Sequence, residues 1–125
     1  MEFDDTRPIY VQIADTVRES VLGEGFREEE RIPSIREMAV ESEVNPNTIT
    51  RSYGLLQDQG IIYNRRGIGY FIADGARQRA LSIMKEEFVE NELPRVFRRM
   101  RVLDLSIDDI SNIFQQIMEK SDAEE

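Results

Sequence analysis

Asn45, Asn47, Thr48 and Thr50 crowd one short stretch of the chain, with Pro46 among them and Arg51 directly after. A side-chain amide can pair bidentately with an adenine edge, and a threonine can meet a thymine methyl or a phosphate. Further along stand Arg65, Arg66 and Gly67, and upstream stands Arg36. The chemistry these residues offer is hydrogen bonding and ion pairing, not bond making. The chain has no cysteine and no histidine. Serine-histidine catalysis, thiolate or histidine zinc sites and a disulfide framework are thereby excluded. No phosphate-loop motif and no evident carboxylate constellation is present, and Glu28-Glu29-Glu30 reads as a solvated charged connector. An enzyme reading therefore lacks its chemistry. No cofactor is implied.

Each candidate also has a plainer role. Asn45 reads equally as a helix cap and as a base contact. Thr48 can serve only to stabilise a first turn. Arg36 reads as a phosphate or base contact, or as a surface ion pair with Glu37 or Glu41, worth little. Arg65 and Arg66 suit a narrow minor groove, whose potential attracts arginine, or a solvated hairpin tip. Gly67 beside them favours the first reading, because a bare backbone allows close approach. Tyr53, Tyr63 and Tyr70 read as core before stacking platforms.

The elements that would position these groups are legible. Pro8 suits a first helical position, with Thr6 as a cap upstream. Ile9, Ile13, Val17 and Val21 recur at helical spacing, with Leu22 beside them, and Gly23 and Gly25 end that helix. Residues 26–31 form a charged connector. Ser34-Ile35-Arg36-Glu37 is a capping box opening a short second helix, with Ile35, Met38 and Ala39 inward. Val44 closes it. Asn45 caps a third helix with Pro46 at its first position, Ile49, Tyr53, Leu55 and Leu56 as its buried stripe, and Gly60 at its end. Ile61 to Tyr63 and Tyr70 to Ile72 read as strands about a turn from Arg65 to Gly69. The expected fold is mainly α with a small β-wing, a winged helix-turn-helix over residues 1–75. Such a fold sets the start of its second helix against base edges.

Residues 76–125 read as a short helical dimerisation region. A helical pattern runs from Gln78 to Arg101, interrupted by Pro94, which kinks or divides it near residues 90–93. Ser106 with Asp109 three residues on opens another helix, and Ser121 to Glu125 reads as a frayed acidic tail. Leu81, Met84, Phe88, Val96, Phe97, Met100, Ile110, Ile113, Phe114 and Ile117 form apolar faces too wide to cover each other. They require the first domain or a second copy of the chain, and closed two-fold dimers are the commonest assemblies.

The formal net charge is −9 over 125 residues, which argues against nonspecific nucleic-acid glue. Residues 1–75 hold eight arginines against fourteen acids, whereas residues 44–73 hold three arginines against Asp58 alone. The suspected phosphate-facing stretch is thus locally basic. No run approaches the roughly 18 apolar residues of a membrane span. The acidic N-terminus lacks the apolar core of a secretory signal, so a cytoplasmic protein without membrane partners is the simplest expectation.

Residues Pro8 to Ile13, Ile32 to Ala39, Val44 to Tyr53 and Arg65 to Ile72 together resemble the N-terminal domain of the GntR family of bacterial transcription regulators. The match in order and spacing covers about 65 residues. The resemblance implies that Arg36, the start of the third helix and the Arg66-Gly67 wing tip contact DNA, and that a homodimer sits on a palindromic operator. Two positions depart from the family: Glu28-Glu29-Glu30 stands where a glycine is usual, and Ile68 where the wing often carries a basic residue. The short C-terminal region resembles the YtrA-type branch, whose two terminal helices dimerise and whose members are typically repressors, often of transporter operons. A winged-helix protein-interaction module without a DNA role is the alternative. A small-molecule effector is left open.

Overall fold

The structure, a computed structural model, describes residues 2–124. Within the acidic tail, Glu125 lies outside the described residues. The chain divides into two compact units, Met1–Met84 and Lys85–Glu125.

The first unit holds helices α1 (Ile9–Leu22), α2 (Ile35–Ser42) and α3 (Pro46–Asp58), strands β1 (Ile62–Arg65) and β2 (Gly69–Ile72), and most of α4 (Ala76–Glu87). In α1, Ile13, Val17 and Val21 are buried as their spacing predicts, while Ile9 at its first turn is exposed. Thr6 does not cap this helix. Its backbone N–H and hydroxyl both donate to the Asp4 carboxylate, which holds that carboxyl below its ordinary range. The Gln12 side chain organises the approach instead, donating to the Asp4 and Arg7 carbonyls and accepting from the Asp4 N–H. At the far end Gly23 caps the helix and the Gly25 N–H bonds back to the Ser20 carbonyl, as the glycines predict, while the left-handed residue between them is Glu24 with φ of 62°.

The capping box of α2 is complete. Ser34 Oγ accepts from the Glu37 N–H at 3.1 Å, and the Glu37 carboxylate accepts from the Ser34 N–H at 3.2 Å. Asn45 caps α3 with Pro46 in its first turn. The helices meet over a core of Ile13, Val17, Val21, Met38, Ala39, Ile49, Tyr53 and Leu56, closed by Ile61, Ile62 and Ile72 from the hairpin side. Leu55 and Ile35 are half-buried at its edge, and Ala76 and Ala80 of α4 join it. Small residues there let the helix backbone approach closely.

β1 and β2 pair antiparallel, with Ile62 opposite Ile72 and Arg65 opposite Gly69. The connector from Phe26 to Arg31 is more than a solvated run. The Glu29 N–H donates to the Ile72 carbonyl at 2.8 Å, the Ile72 N–H to the Glu30 carbonyl at 2.9 Å, and the Ile32 N–H to the Tyr70 carbonyl at 3.0 Å. It therefore lies along the free edge of β2 and satisfies backbone groups that an edge strand would leave open. The three consecutive glutamates are tied down as acceptors: Glu28 from the Arg77 N–H, Glu29 from the Tyr63 hydroxyl and Glu30 from the Arg27 N–H.

In the second unit, Phe88–Glu92 is a π-helical turn leading into α5 (Leu93–Val102). The Leu93 N–H donates five residues back to the Phe88 carbonyl. Pro94 has no N–H to continue the ordinary ladder, and the chain widens one turn ahead of it. A capping box of Ser106 and Asp109 opens α6 (Ile107–Glu124). The tail expected to fray is helical through Glu124, since neither glycine nor proline interrupts it. Among the described residues of this unit only Met100 is buried.

Candidate nucleic-acid interface

Three elements bring the candidate residues to the surface of the first unit. On α3, Asn47, Thr50 and Arg51 follow the i, i+3, i+4 spacing that shares one face, and all three are exposed. Gly54 completes that stripe at i+7. The opposite stripe, Ile49, Ser52, Tyr53 and Leu56, is buried. One face of the helix is thus spent on the core and the other is polar.

Asn45 does act as a cap: its Oδ1 accepts from the Asn47 N–H at 2.8 Å. Its amide NH₂ remains available as a donor. The Asn47 side chain makes no hydrogen bond with the described residues, so capping leaves it unspent. Thr50 donates its hydroxyl to the Pro46 carbonyl at 3.1 Å, which leaves its lone pairs and methyl outward. Thr48 is half-buried and sits at the edge of the stripe. The Arg51 guanidinium lies 4.1 Å above the Tyr10 ring. That stacking steers the cation while leaving its N–H edges free.

Arg36 sits in the first turn of α2 and is exposed. Among the described residues it has no ion pair with Glu37 or Glu41; the Glu37 carboxylate is held instead by Ser34, first by its backbone N–H and then by its hydroxyl, and is pushed below its ordinary value. At the wing the two arginines part company. Arg65 is the last residue of β1, not part of the turn, and its guanidinium lies 4.8 Å from the Phe71 ring centre and 5.8 Å from that of Tyr63. Arg66 is in the turn itself, exposed and without a partner among the described residues. Gly67 follows with φ of 79°, and a side chain there would meet nothing within 4 Å. Its conformation, not crowding, is what requires glycine.

Two residues support the site in ways the sequence did not show: Tyr53, whose burial was expected but whose hydroxyl partner was not, and Arg31. Tyr53 is fully buried, and its hydroxyl donates to the Pro33 carbonyl at 2.6 Å while its ring meets Tyr70 edge-on at 4.9 Å. It ties α3 to the entry of α2 and to β2, so it fixes the mutual placement of all three outward elements. Burial pushes its hydroxyl far above the ordinary tyrosine value. Arg31 is the second. Its Nε would lie 2.9 Å from a Cβ built on Gly69, so the cation occupies the base of the wing beside Arg65. Only the pairing of the connector with β2 brings it there. Ser52 completes the scaffold, donating to the Tyr10 carbonyl at 2.8 Å and fastening α3 to α1.

The arrangement is a helix start rich in amide and hydroxyl groups, flanked on separate elements by unpaired arginines. It can donate to phosphates at two sides and read base edges between them. Among the described residues there is no cluster of acids, histidines or cysteines able to hold a metal ion.

Comparison with known proteins agrees with this geometry. The chain is 34% identical to the HTH-type transcriptional regulator YhcF of Bacillus subtilis over 109 residues, covering 87% of this chain and 88% of that protein. It is 37% identical to the HTH-type transcriptional repressor YtrA of the same organism over 70 residues, covering 56% of this chain and 54% of that one. A crystal structure of a GntR-family regulator from Bacteroides thetaiotaomicron superposes with a TM-score of 0.77 at 42% identity, over 90% of this chain and 98% of that one. The DNA-binding domain of AraR, solved in complex with its operator ORR3, superposes with a TM-score of 0.53 at 25% identity, over 58% of this chain and 88% of that one. The family model for bacterial regulatory proteins of the gntR family matches residues 9–72. With its winged helix-turn-helix in place, the chain belongs to the GntR family of transcription regulators.

Proposed function

We propose that the protein is a cytoplasmic transcription repressor that binds a palindromic operator as a homodimer. Residues 1–75 contact DNA, through Arg36, Asn45, Pro46, Asn47, Thr48, Thr50, Arg51, Arg65, Arg66 and Gly67. Residues 76–125 join the two copies. The observation that carries the reading is the outward stripe Asn47, Thr50 and Arg51 on α3, flanked by the unpaired Arg36 and Arg66. The likeness to YtrA, described as a repressor, supports repression. Membership of the short YtrA-type branch supports a transporter operon as the target.

Support for dimerisation comes from apolar surface. Phe88, Val96, Phe97, Ile113, Phe114 and Ile117 are exposed, as is Leu81 on α4, with Met84 and Ile110 half-buried. Exposed apolar residues in such number support a surface that a partner covers. Met100 is the exception, being buried already in the single chain. An isologous two-fold contact is self-complementary and suits a palindrome.

The test is sequence-selected binding of purified protein to random duplex. Two half-sites in inverted repeat are the expected outcome. Arg36→Ala and Arg66→Ala should each weaken binding to the selected duplex about tenfold, on the scale of one lost arginine contact. Neither should alter thermal stability noticeably, since surface changes of this kind usually stay within about 0.5 kcal/mol. Enrichment of no sequence, or affinity untouched by both substitutions, would transfer weight to the protein-interaction reading.

A further inference from the structure

Helix α5 concentrates positive charge in an acidic protein. Its ten residues hold Arg95, Arg98, Arg99 and Arg101 and no acid. All four arginines are exposed, and none makes an ion pair or hydrogen bond with the described residues. The chain carries 25 acidic residues, so the lack of pairing is not a shortage of acids. Like charges at i, i+3 and i, i+4 repel and destabilise a helix, which makes Arg95, Arg98 and Arg99 a costly group to leave unpartnered.

Their direction matters as much as their number. At 100° per residue, Arg95, Arg98 and Arg99 share one side of α5. Phe97 and Met100 fall on the far side, where Met100 is buried; Val96 lies between the two sides, and the exposed Val102 shares the arginine side. The apolar side is the one available for packing or dimerisation. The arginine side is outward in the single chain, and none of the chain's own described acids pairs with it.

We propose that the arginine face of α5 is a second, sequence-independent contact for the phosphates of double-stranded DNA. The inference rests on the DNA-binding reading given above and adds to it a region outside the winged helix. Charge density selects the partner. Arg95 to Arg99 spans ~6 Å of helix axis, and a duplex presents one negative charge every ~1.7 Å. Several phosphates therefore fall within reach of three guanidiniums, whose forked donors match phosphate oxygens. An acidic protein surface seldom sustains that density. The contact carries no sequence preference, so it raises affinity and salt dependence without changing the consensus.

The experiment measures affinity against salt for three duplexes: the selected operator alone, the same operator extended by about one helical turn on each side, and a scrambled duplex of the extended length. Wild-type protein should bind the extended operator more tightly than the bare one. The variant Arg95→Gln/Arg98→Gln/Arg99→Gln should lose at least tenfold on the extended operator. Its slope of log affinity against log salt should fall by ~0.9 for each arginine that meets a phosphate. Its ranking of operator over scrambled duplex should not change. The variant with lysine at the same three positions should recover most of the slope. Sedimentation of the free proteins shows whether the glutamine variant still self-associates as wild type does. If it does not, the wild-type gain from flanking DNA and the lysine variant decide. Equal wild-type affinity for bare and extended operators overturns the inference, and so does an unchanged slope in a glutamine variant that assembles normally. Loss of binding to polyglutamate with an unchanged DNA slope reassigns the face to an acidic protein. Absence of any salt-sensitive duplex binding by wild type overturns the DNA-binding reading itself, which is a separate and recognisable failure.

Discussion

At the scale of single residues, the candidate interface depends on side chains that do not touch its ligand. Tyr53 is the clearest. Its hydroxyl bond to Pro33 and its edge contact with Tyr70 hold three elements from one buried position. Tyr53→Phe keeps the ring and removes the hydroxyl, leaving the Pro33 carbonyl without its donor. The expected loss is ~1–2 kcal/mol, read as a lower urea midpoint with an unchanged slope. A change in slope would mean that the compactness of one state had altered instead. Asn45 shows that the two readings open in the sequence are compatible. Its oxygen caps, and its amide nitrogen is left for an acceptor outside the chain. Arg18 was not legible as a core residue at all. It is almost wholly buried, with one guanidinium nitrogen donating to Gln59 at 2.8 Å and another paired with Asp15. Nothing in its local sequence separates it from the exposed arginines, because its burial is set by where α3 ends.

At the scale of elements, caps and turns can be tested separately. Ser34→Ala removes the acceptor for the Glu37 N–H and should cost about 1 kcal/mol, the usual cost of a lost cap. The box also gives stability a pH dependence with a definite sign. Hydrogen bonds from Ser34 lower the Glu37 carboxyl below its ordinary value of 4.5. A depressed carboxyl contributes its full stabilisation above its unfolded value and loses it as pH falls through its folded value. Asp109, lowered by its bonds with Ser106, behaves the same way in α6. Denaturation across pH 3–7 should therefore show stability falling below about pH 4.5, and Ser34→Ala should flatten the Glu37 share of that fall. Gly54 sits mid-helix on the outward stripe of α3, and a Cβ there would meet nothing within 4 Å. Glycine in such a position is up to ~1 kcal/mol less favourable than alanine. Gly54→Ala should raise the melting temperature of the free protein. If the stripe faces DNA, the same change should weaken operator binding, and unaltered binding would place the groove elsewhere.

At the scale of the molecule, two compact units divide the surface by character. The first spends its apolar residues on a core, whereas the second leaves Phe114, Ile113 and Ile117 of α6 exposed. Phe114→Glu places a charge in the centre of that face, at a residue 58% exposed in the single chain. Folding of the single chain should tolerate it. Sedimentation should show a shift from dimer to monomer, with operator binding falling as the two half-sites lose their linkage. A variant that sediments as wild type does would remove α6 from the dimer surface. Among the described residues no helix is long and apolar enough to cross a membrane.

What the sequence determined by itself is the set of local signals. Capping boxes at Ser34 and Ser106, Asn45 with Pro46, and glycines at Gly60 and Gly67 are physics of a few adjacent residues, and each stands where its neighbours place it. Periodicity likewise marked the buried stripes of α1 and α3, because burial on one face repeats along the chain. What the tertiary structure decided are the pairings between distant segments. The connector joins β2 through backbone groups that carry no residue code, bringing Arg31 to the base of the wing. Arg65 turns onto aromatic rings across the hairpin while its neighbour Arg66 stays free. Pro94 was visible as an interruption, but the π turn preceding it follows from how the backbone reroutes its hydrogen bonds. Local chemistry is written in short stretches. Which arginine is buried, stacked or free depends on what the fold sets beside it.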